Sequence, residues 1–338
     1  MNPNIQRLLE ATLGPQKTQS LAALLTMPAL FERFAPDTVT RAELTQALNM
    51  ALFDGLLERV PTGKAYALDI ARRGEKICFD HGALRTVRCR AGQLPYGEAA
   101  FARILKPLGY RLNGVYPLER LKMMGRAYAH TDAPEEIAQY FVSELDPGQF
   151  SPAFQQAVNN VLSNTHDPLT PTAFAQLMEL GRDGSLPLQD AIELLPVLVH
   201  CFDRQHDIPK LADYETLLKE SDEMAWIATE GNAFNHATDR VPDVERLADA
   251  QRVLGRSIKE KIEVSTNGRV RQTAFKADRV TRQFKSAEGT VIEKEVPGSF
   301  YEFITRERYA DPITNRMLLD LSFDSGNAQG IFKMTAAH

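Results

Sequence analysis

The sequence predicts an α+β fold, with helices packed around an antiparallel sheet, and three observations lead there. Apolar residues recur at helical spacing near the N-terminus and again through the middle of the chain. From Ile258 onward the pattern changes to period-two alternation punctuated by Gly and Pro turns. Three short segments far apart in sequence, Asp80-His81-Gly82-Ala83-Leu84-Arg85, Phe234-Asn235-His236-Ala237-Thr238 and Phe300-Tyr301-Glu302-Phe303, each carry one metal-binding side chain.

Residues 1–75 read as a helical region. Ile5, Leu8, Leu9 and Leu13, followed by Leu21 to Leu25, lie at helical spacing, and Thr40-Arg41-Ala42-Glu43 has the form of a capping box ahead of an apolar run. Thr40 to Val60, the turn Pro61-Thr62-Gly63-Lys64 and then Ala65-Tyr66-Ala67-Leu68 read as helix, turn and strand, a weak likeness to a winged helix. Its charge does not support DNA binding, and a packing role is the better expectation.

Residues 76–338 read as a metal-binding catalytic unit with a helical insertion at about 117–218. In the insertion Thr131-Asp132 can cap a helix whose apolar face is Ile137, Tyr140, Phe141 and Leu145. A second helix is expected from Thr170-Pro171 to Gly181, with Phe174, Leu177 and Met178 on one face, and a third from Ala191 to Cys201. The block has no clustered polar chemistry, which suits a lid or an inserted scaffold.

The C-terminal part reads as an antiparallel meander. Ile258, Ile262 and Val264 precede Asn267-Gly268, a strong hairpin turn, and Val270 to Phe284 then alternates. Glu288-Gly289 marks another turn, Val291 to Val296 a strand, and Pro297-Gly298 a break before Ser299 to Arg306.

Composition sets the outer bounds. The chain has 338 residues, 43% hydrophobic and 25% charged, enough for a large core in one or two domains. A net charge of −5 and no long basic block argue against a nucleic-acid surface. No stretch reaches the ~18 apolar residues that span a bilayer, and Met1-Asn2-Pro3-Asn4 lacks the features of a signal peptide, so a cytoplasmic protein without a membrane partner is expected. Cys78, Cys89 and Cys201 form neither a CxxC nor an even set, which fits reduced thiols. Cys78 and Cys89 flank His81, where a thiol could ligate a metal, but a free Cys is more often a small buried hydrophobe.

His81, His236 and Glu302 would make a facial triad, which holds Fe(II) on one side and leaves the other open for an oxo acid and O2. Arg85 follows His81 by four residues, a spacing that puts both on one side of a strand or a helix, and its planar fork suits a carboxylate. On a strand from Ser299, Phe300, Glu302 and Ile304 share one face, so the Glu302 carboxylate needs a partner among apolar neighbours. Either a divalent cation or a buried Arg, such as Arg271 or Arg306, would serve. His236 sits among small and amide residues that suit a tight loop, whereas His130, His166, His200 and His206 have no such context and read as structural or exposed.

The segments around His81, His236 and Glu302 resemble those of the 2-oxoadipate dioxygenase/decarboxylase family, iron enzymes of which many members were first catalogued as a domain of unknown function. The resemblance runs from about residue 75 to Phe332 and includes the His-to-Arg spacing and the closing Gly330-Ile331-Phe332. It implies Fe(II) held by His81, His236 and Glu302, with Zn, Ni or Mn as substitutes in purified protein, and Arg85 as the clamp on a 2-oxo dicarboxylic acid. Just before Gly-Ile-Phe the best-described members, which are longer, carry a small hydroxyl residue near the substrate. This chain has Gly326-Asn327-Ala328 there, so Asn327 becomes the candidate substrate contact and the oxo acid stays open. The implied reaction consumes O2, releases CO2 and hydroxylates the shortened acid, 2-oxoadipate giving 2-hydroxyglutarate. Tyr301, Phe303 or Phe234 are candidates to line the pocket, though such aromatics are more often plain core.

Two histidines and a glutamate on separate strands of a curved sheet also resemble the vicinal-oxygen-chelate architecture of glyoxalases and extradiol dioxygenases, which implies an incomplete barrel wrapped by helices. Two alternatives follow. One is a glyoxalase-like lyase or isomerase that uses the same ligands without O2. The other is a non-enzymatic protein whose N-terminal helices recruit a partner.

Overall fold

Eight strands form one sheet, and their order exposes a duplicated unit in the computed structural model, which describes residues 1–33, 35–324 and 326. They are β1 (Phe79–Val87), β2 (Tyr110–Leu118), β3 (Met123–His130), β4 (Gln139–Leu145), β5 (His236–Arg240), β6 (Glu263–Val264), β7 (Val270–Ala274) and β8 (Phe300–Arg306). The order across the curled half-barrel is β2-β3-β4-β1-β5-β8-β7-β6. In each half the first strand pairs parallel with the fourth (β1 with β4, β5 with β8). The third and second strands follow antiparallel on the outside. A helix follows the first strand each time, Ala99–Leu105 in one half and Val244–Val253 in the other.

The two units meet through β1 and β5, which pair antiparallel with Gly82 opposite Ala237. A local two-fold through that pair exchanges His81 with His236. The parallel partners then correspond as Gln139 with Phe300 and Phe141 with Glu302. Close approach is built in at this junction: a Cβ on Gly82 would lie 2.3 Å from the Phe234 ring, so only glycine fits.

Both faces of the sheet are covered. On the outer face Leu84, Tyr140, Val142, Ala237, Tyr301 and Phe303 share one core with four N-terminal helices, α1 (Pro3–Leu13), α2 (Pro15–Leu24), α3 (Arg41–Arg59) and α4 (Pro61–Arg72). The capping box expected at Thr40 and Glu43 starts α3, whose 19 residues are mostly buried, as suits a helix enclosed on all sides. On the inner face Ala83, Val87, Ala127 and Phe141 pack with helices Pro152–Leu162, Leu211–Leu218 and Asp222–Glu230. The two-stranded ribbon Arg279–Lys285/Val291–Pro297 adds Phe284 and Val296 to that core.

Several local expectations are corrected. Residues 110–145 form β2, β3 and β4, and the helices between the two units run from Pro152 to Glu230, so the helical insertion starts later than residue 117 and ends after 218. The run Ile137 to Leu145 mimics a helix face because every residue of β4 is buried, which removes the alternation that marks a half-exposed strand. Ala65 to Leu68 lie inside α4, with Pro61 in its first turn, and no wing follows. The helix capped by Thr170 ends at Asp183, and its buried face is Ala173, Leu177 and Leu180, with Phe174 and Met178 turned to solvent. The Asn267-Gly268 turn does join β6 to β7, but the next two strands leave the sheet as the separate ribbon. Among the described residues no helix is long and apolar enough to cross a membrane.

Candidate metal centre

β1 slips its register between Phe79 and His81, and this bulge shapes the site. Phe79 packs against Phe53 and Phe234 on the helix side. Asp80 and His81 then both turn to the inner face, where strict alternation would separate them. Asp80 Oδ1 lies 2.8 Å from His81 Nδ1, and the guanidinium of Arg306, from the end of β8, donates to the same carboxylate at 2.9–3.1 Å. The Arg306 and Asp80 side chains are 0% and 1% exposed, a buried pair with its hydrogen bonds filled.

His236 opens β5, and its Nδ1 is 3.2 Å from Asn235 Oδ1. With both Nδ1 atoms engaged by acceptors, both Nε2 atoms face inward as lone-pair donors. Glu302, third in β8, brings Oε2 to 3.3 Å from His81 Nε2 and 3.2 Å from His236 Nε2. Ligands at ~2.1 Å and right angles around one cation would stand about 3 Å apart, close to the two glutamate–histidine spacings, and the three donor atoms all lie within 4.8 Å of one another. Thr238 Oγ1 donates to Glu302 Oε2 at 2.5 Å, and the three candidate ligands are 1–5% exposed. Among the described residues this is the one group of three or more such side chains placed to hold a metal.

Electrostatics agree with a cation site. Burial alone would raise the Glu302 carboxyl, but His236 and His81 hold it well below the usual carboxylate range, so it stays ionised. Burial pushes His236 down. Burial also opposes charge on His81, yet the charged Asp80 and Glu302 beside it leave this imidazole the more basic of the two. Two imidazoles and one carboxylate, with no Lys or Arg bonded to Glu302 among the described residues, form a donor set for a first-row divalent cation. The candidate Arg partners are occupied elsewhere, Arg306 with Asp80 and Arg271 with Glu245 and Glu307.

Arg85, two residue pairs along β1 from His81, is fully buried, with its guanidinium 5.1 Å from the Trp226 ring centroid. Burial lowers its pKa to about 10, and its charge adds to the forces that push His236 down. Phe300 stacks on His236 at 4.7 Å, while Phe323 stands edge-on to His81 at 4.9 Å and touches Phe141 at 4.8 Å. These rings flank the centre. Tyr301 and Phe303 instead pack on Tyr66, and Phe234 on Phe79 and Tyr140, all on the opposite face. Cys78 accepts from Arg240 at 3.2 Å and takes no part in the ligand group. Asn327, Ala328 and Gly330-Ile331-Phe332 lie outside the described residues.

His130 and His206 bond the backbone carbonyls of Leu108 and Ala228, and His200 is exposed beside Asp203. The residues that spacing did not single out are Asp80, Asn235, Thr238 and Phe300. Each is one or two positions from a candidate ligand; Thr238 and Phe300 follow from alternation, whereas Asp80 needs the bulge.

The sheet with its two units is shared with solved structures. A protein of Ralstonia eutropha JMP134 carrying a glyoxalase-superfamily designation is 59% identical, covers 96% of this chain and 99% of its own, and superposes with a TM-score of 0.90. The hydroxyglutarate synthase of Oryza sativa, solved in complex with 2-oxoadipate, is 20% identical over 92% of this chain and 98% of its own, with a TM-score of 0.66, a likeness of fold. In sequence, the 2-oxoadipate dioxygenase/decarboxylase of Oryza sativa subsp. japonica is 25% identical over 312 residues, 83% of this chain and 75% of that protein. The profile of that enzyme family matches residues 26–333, a span containing both histidines, the glutamate and Arg85, and the chain is a member of the 2-oxoadipate dioxygenase/decarboxylase family.

Proposed function

We propose that this enzyme holds Fe(II) through His81, His236 and Glu302. With O2 it converts a 2-oxo dicarboxylic acid of the 2-oxoadipate kind to CO2 and a 2-hydroxy acid one carbon shorter. For 2-oxoadipate the balance is one O2 consumed, one CO2 released and one 2-hydroxyglutarate formed. The observation that carries this is the convergence of three buried donor atoms in a chain of that family. Bound iron would supply the redox chemistry.

The protein's share is binding and orientation. Asp80 and Asn235 fix the two imidazoles with Nε2 inward, and Thr238 holds the glutamate oxygen between them. Arg85, anchored in a dry setting against Trp226, is placed to take a carboxylate of the substrate. Phe300, Phe323 and Phe141 limit the water that reaches the centre. The structures of rice and Pseudomonas putida hydroxyglutarate synthase with 2-oxoadipate support this substrate class.

The glyoxalase-superfamily designation of the Ralstonia relative favours a second reading, metal-dependent lyase or isomerase chemistry without O2. One experiment separates the two: oxygen uptake and CO2 release by anaerobically Fe(II)-loaded protein given 2-oxoadipate and neighbouring oxo acids, with Glu302→Ala as control. Coupled O2 and CO2 stoichiometry lost in the variant supports the oxygenase. Turnover under argon supports the lyase.

A further inference from the structure

Gln139 opens β4 and is paired in register with His81 across the parallel β1/β4 junction. Paired residues on neighbouring strands point to the same side of a sheet, so its carboxamide flanks His81 on the inner face. It is 1% exposed, and neither Oε1 nor Nε2 has a hydrogen-bond partner. Buried amides are nearly always satisfied, and leaving both ends open costs stability. The second unit gives a direct comparison. There the corresponding residue is Phe300, which stacks on His236 and needs no polar partner. The site is therefore flanked by an aromatic ring at one histidine and an unfilled donor and acceptor at the other.

We propose that Gln139 is a substrate-binding residue whose Nε2–H donates to the carboxylate–keto end of the 2-oxo acid. This rests on the function proposed above. Arg85 lies four residues further along β1 than His81, about 13 Å at the rise of an extended strand. Gln139 is level with His81 itself. The two side chains thus address opposite ends of a dicarboxylic acid, the amide beside the metal ligands and the guanidinium toward the distal carboxylate. A neutral donor suits the near end, where the cation already balances the substrate's charge. The distal carboxylate has no such neighbour and calls for Arg.

The test is Gln139→Leu, which keeps the bulk and removes both polar atoms. Under anaerobic conditions, metal content, thermal midpoint and calorimetric affinity for 2-oxoadipate and 2-oxohexanoate, which lacks the distal carboxylate, are compared with wild type. The expected result is unchanged metal content and an equal or higher midpoint for the substrate-free protein. Affinity for both acids should fall about tenfold or more, because the lost contact is to the end they share. Equal affinity in wild type and variant overturns the assignment, as does a lowered midpoint with binding intact, which would mark a structural role. If wild type binds neither acid, the proposed function fails and this assignment fails with it.

Discussion

Asp80 and His81, adjacent in sequence, face the same side of the sheet, and the Asp80 carboxylate spans from His81 Nδ1 to the Arg306 guanidinium. Asp80→Asn leaves one oxygen for the imidazole but turns an amide N–H toward a buried Arg. Metal affinity is expected to fall about 10- to 100-fold, with a stability loss approaching the ~3–5 kcal/mol of a broken buried pair. Metal titration followed by a melting curve checks both, and an unchanged affinity would show that Asp80 serves packing alone.

Glu302 is the only anionic member of the triad. Glu302→Gln preserves its shape and removes the charge that attracts the cation. Added Fe(II) or Zn(II) should raise the melting midpoint of the wild type through ligand linkage and leave the variant's unmoved. A comparable rise in both would place the metal elsewhere.

Arg85 carries a buried guanidinium with its pKa brought down to about 10 by burial. Arg85→Met should weaken dicarboxylate binding by about 2–5 kcal/mol, and Arg85→Lys should restore little of it because an ammonium lacks the planar fork. Binding of 2-oxohexanoate should change far less. Equal losses for the two acids would contradict a distal clamp.

Asp239 lies on β5 beneath α4, where Tyr66 donates to it at 2.7 Å and the Cys78 amide at 3.0 Å. Burial raises its pKa from 3.8 to about 7, outweighing both hydrogen bonds. Between those values the folded chain keeps a proton that the unfolded chain releases. Its contribution to stability therefore declines as pH rises through that window and levels off above it. Asp239→Asn mimics the protonated form, so the midpoint difference between variant and wild type should grow from pH 5 to pH 7.5. A constant difference would refute the shift.

Gly82→Ala would bring a methyl group to 2.3 Å from the Phe234 ring, across the junction of the two units. A stability loss of about 1–3 kcal/mol is expected from overpacking, and because His81 is the next residue, metal affinity should fall with it. Denaturant unfolding with and without metal measures both. A neutral substitution would show that the Phe234 ring can move aside.

The three residues of the candidate donor cluster can be picked out from local sequence: a His with Arg four residues on, a second His among small residues, and a Glu flanked by aromatics that alternation places on a strand. Asp80 was hidden by a one-residue register slip, since period-two reasoning sends it to the opposite face. β4 was mistaken for a helix because burial on both sides erases the pattern that tells the two apart. Tyr301 and Phe303, candidates to line the pocket, alternate with Glu302 onto the face that packs against the helices. The pairing of the two units was beyond reach, because it joins residues as distant as Ala83 and His236.

The correspondence of Phe141 with Glu302 bears on how such an enzyme can diversify. A scaffold built of two like halves comes with redundancy: each half offers the same strand position, filled by an acid in one and an aromatic ring in the other. Under the proposed function Phe141 supplies no donor, so its size and polarity can vary without removing any of the three side chains that would hold the cation.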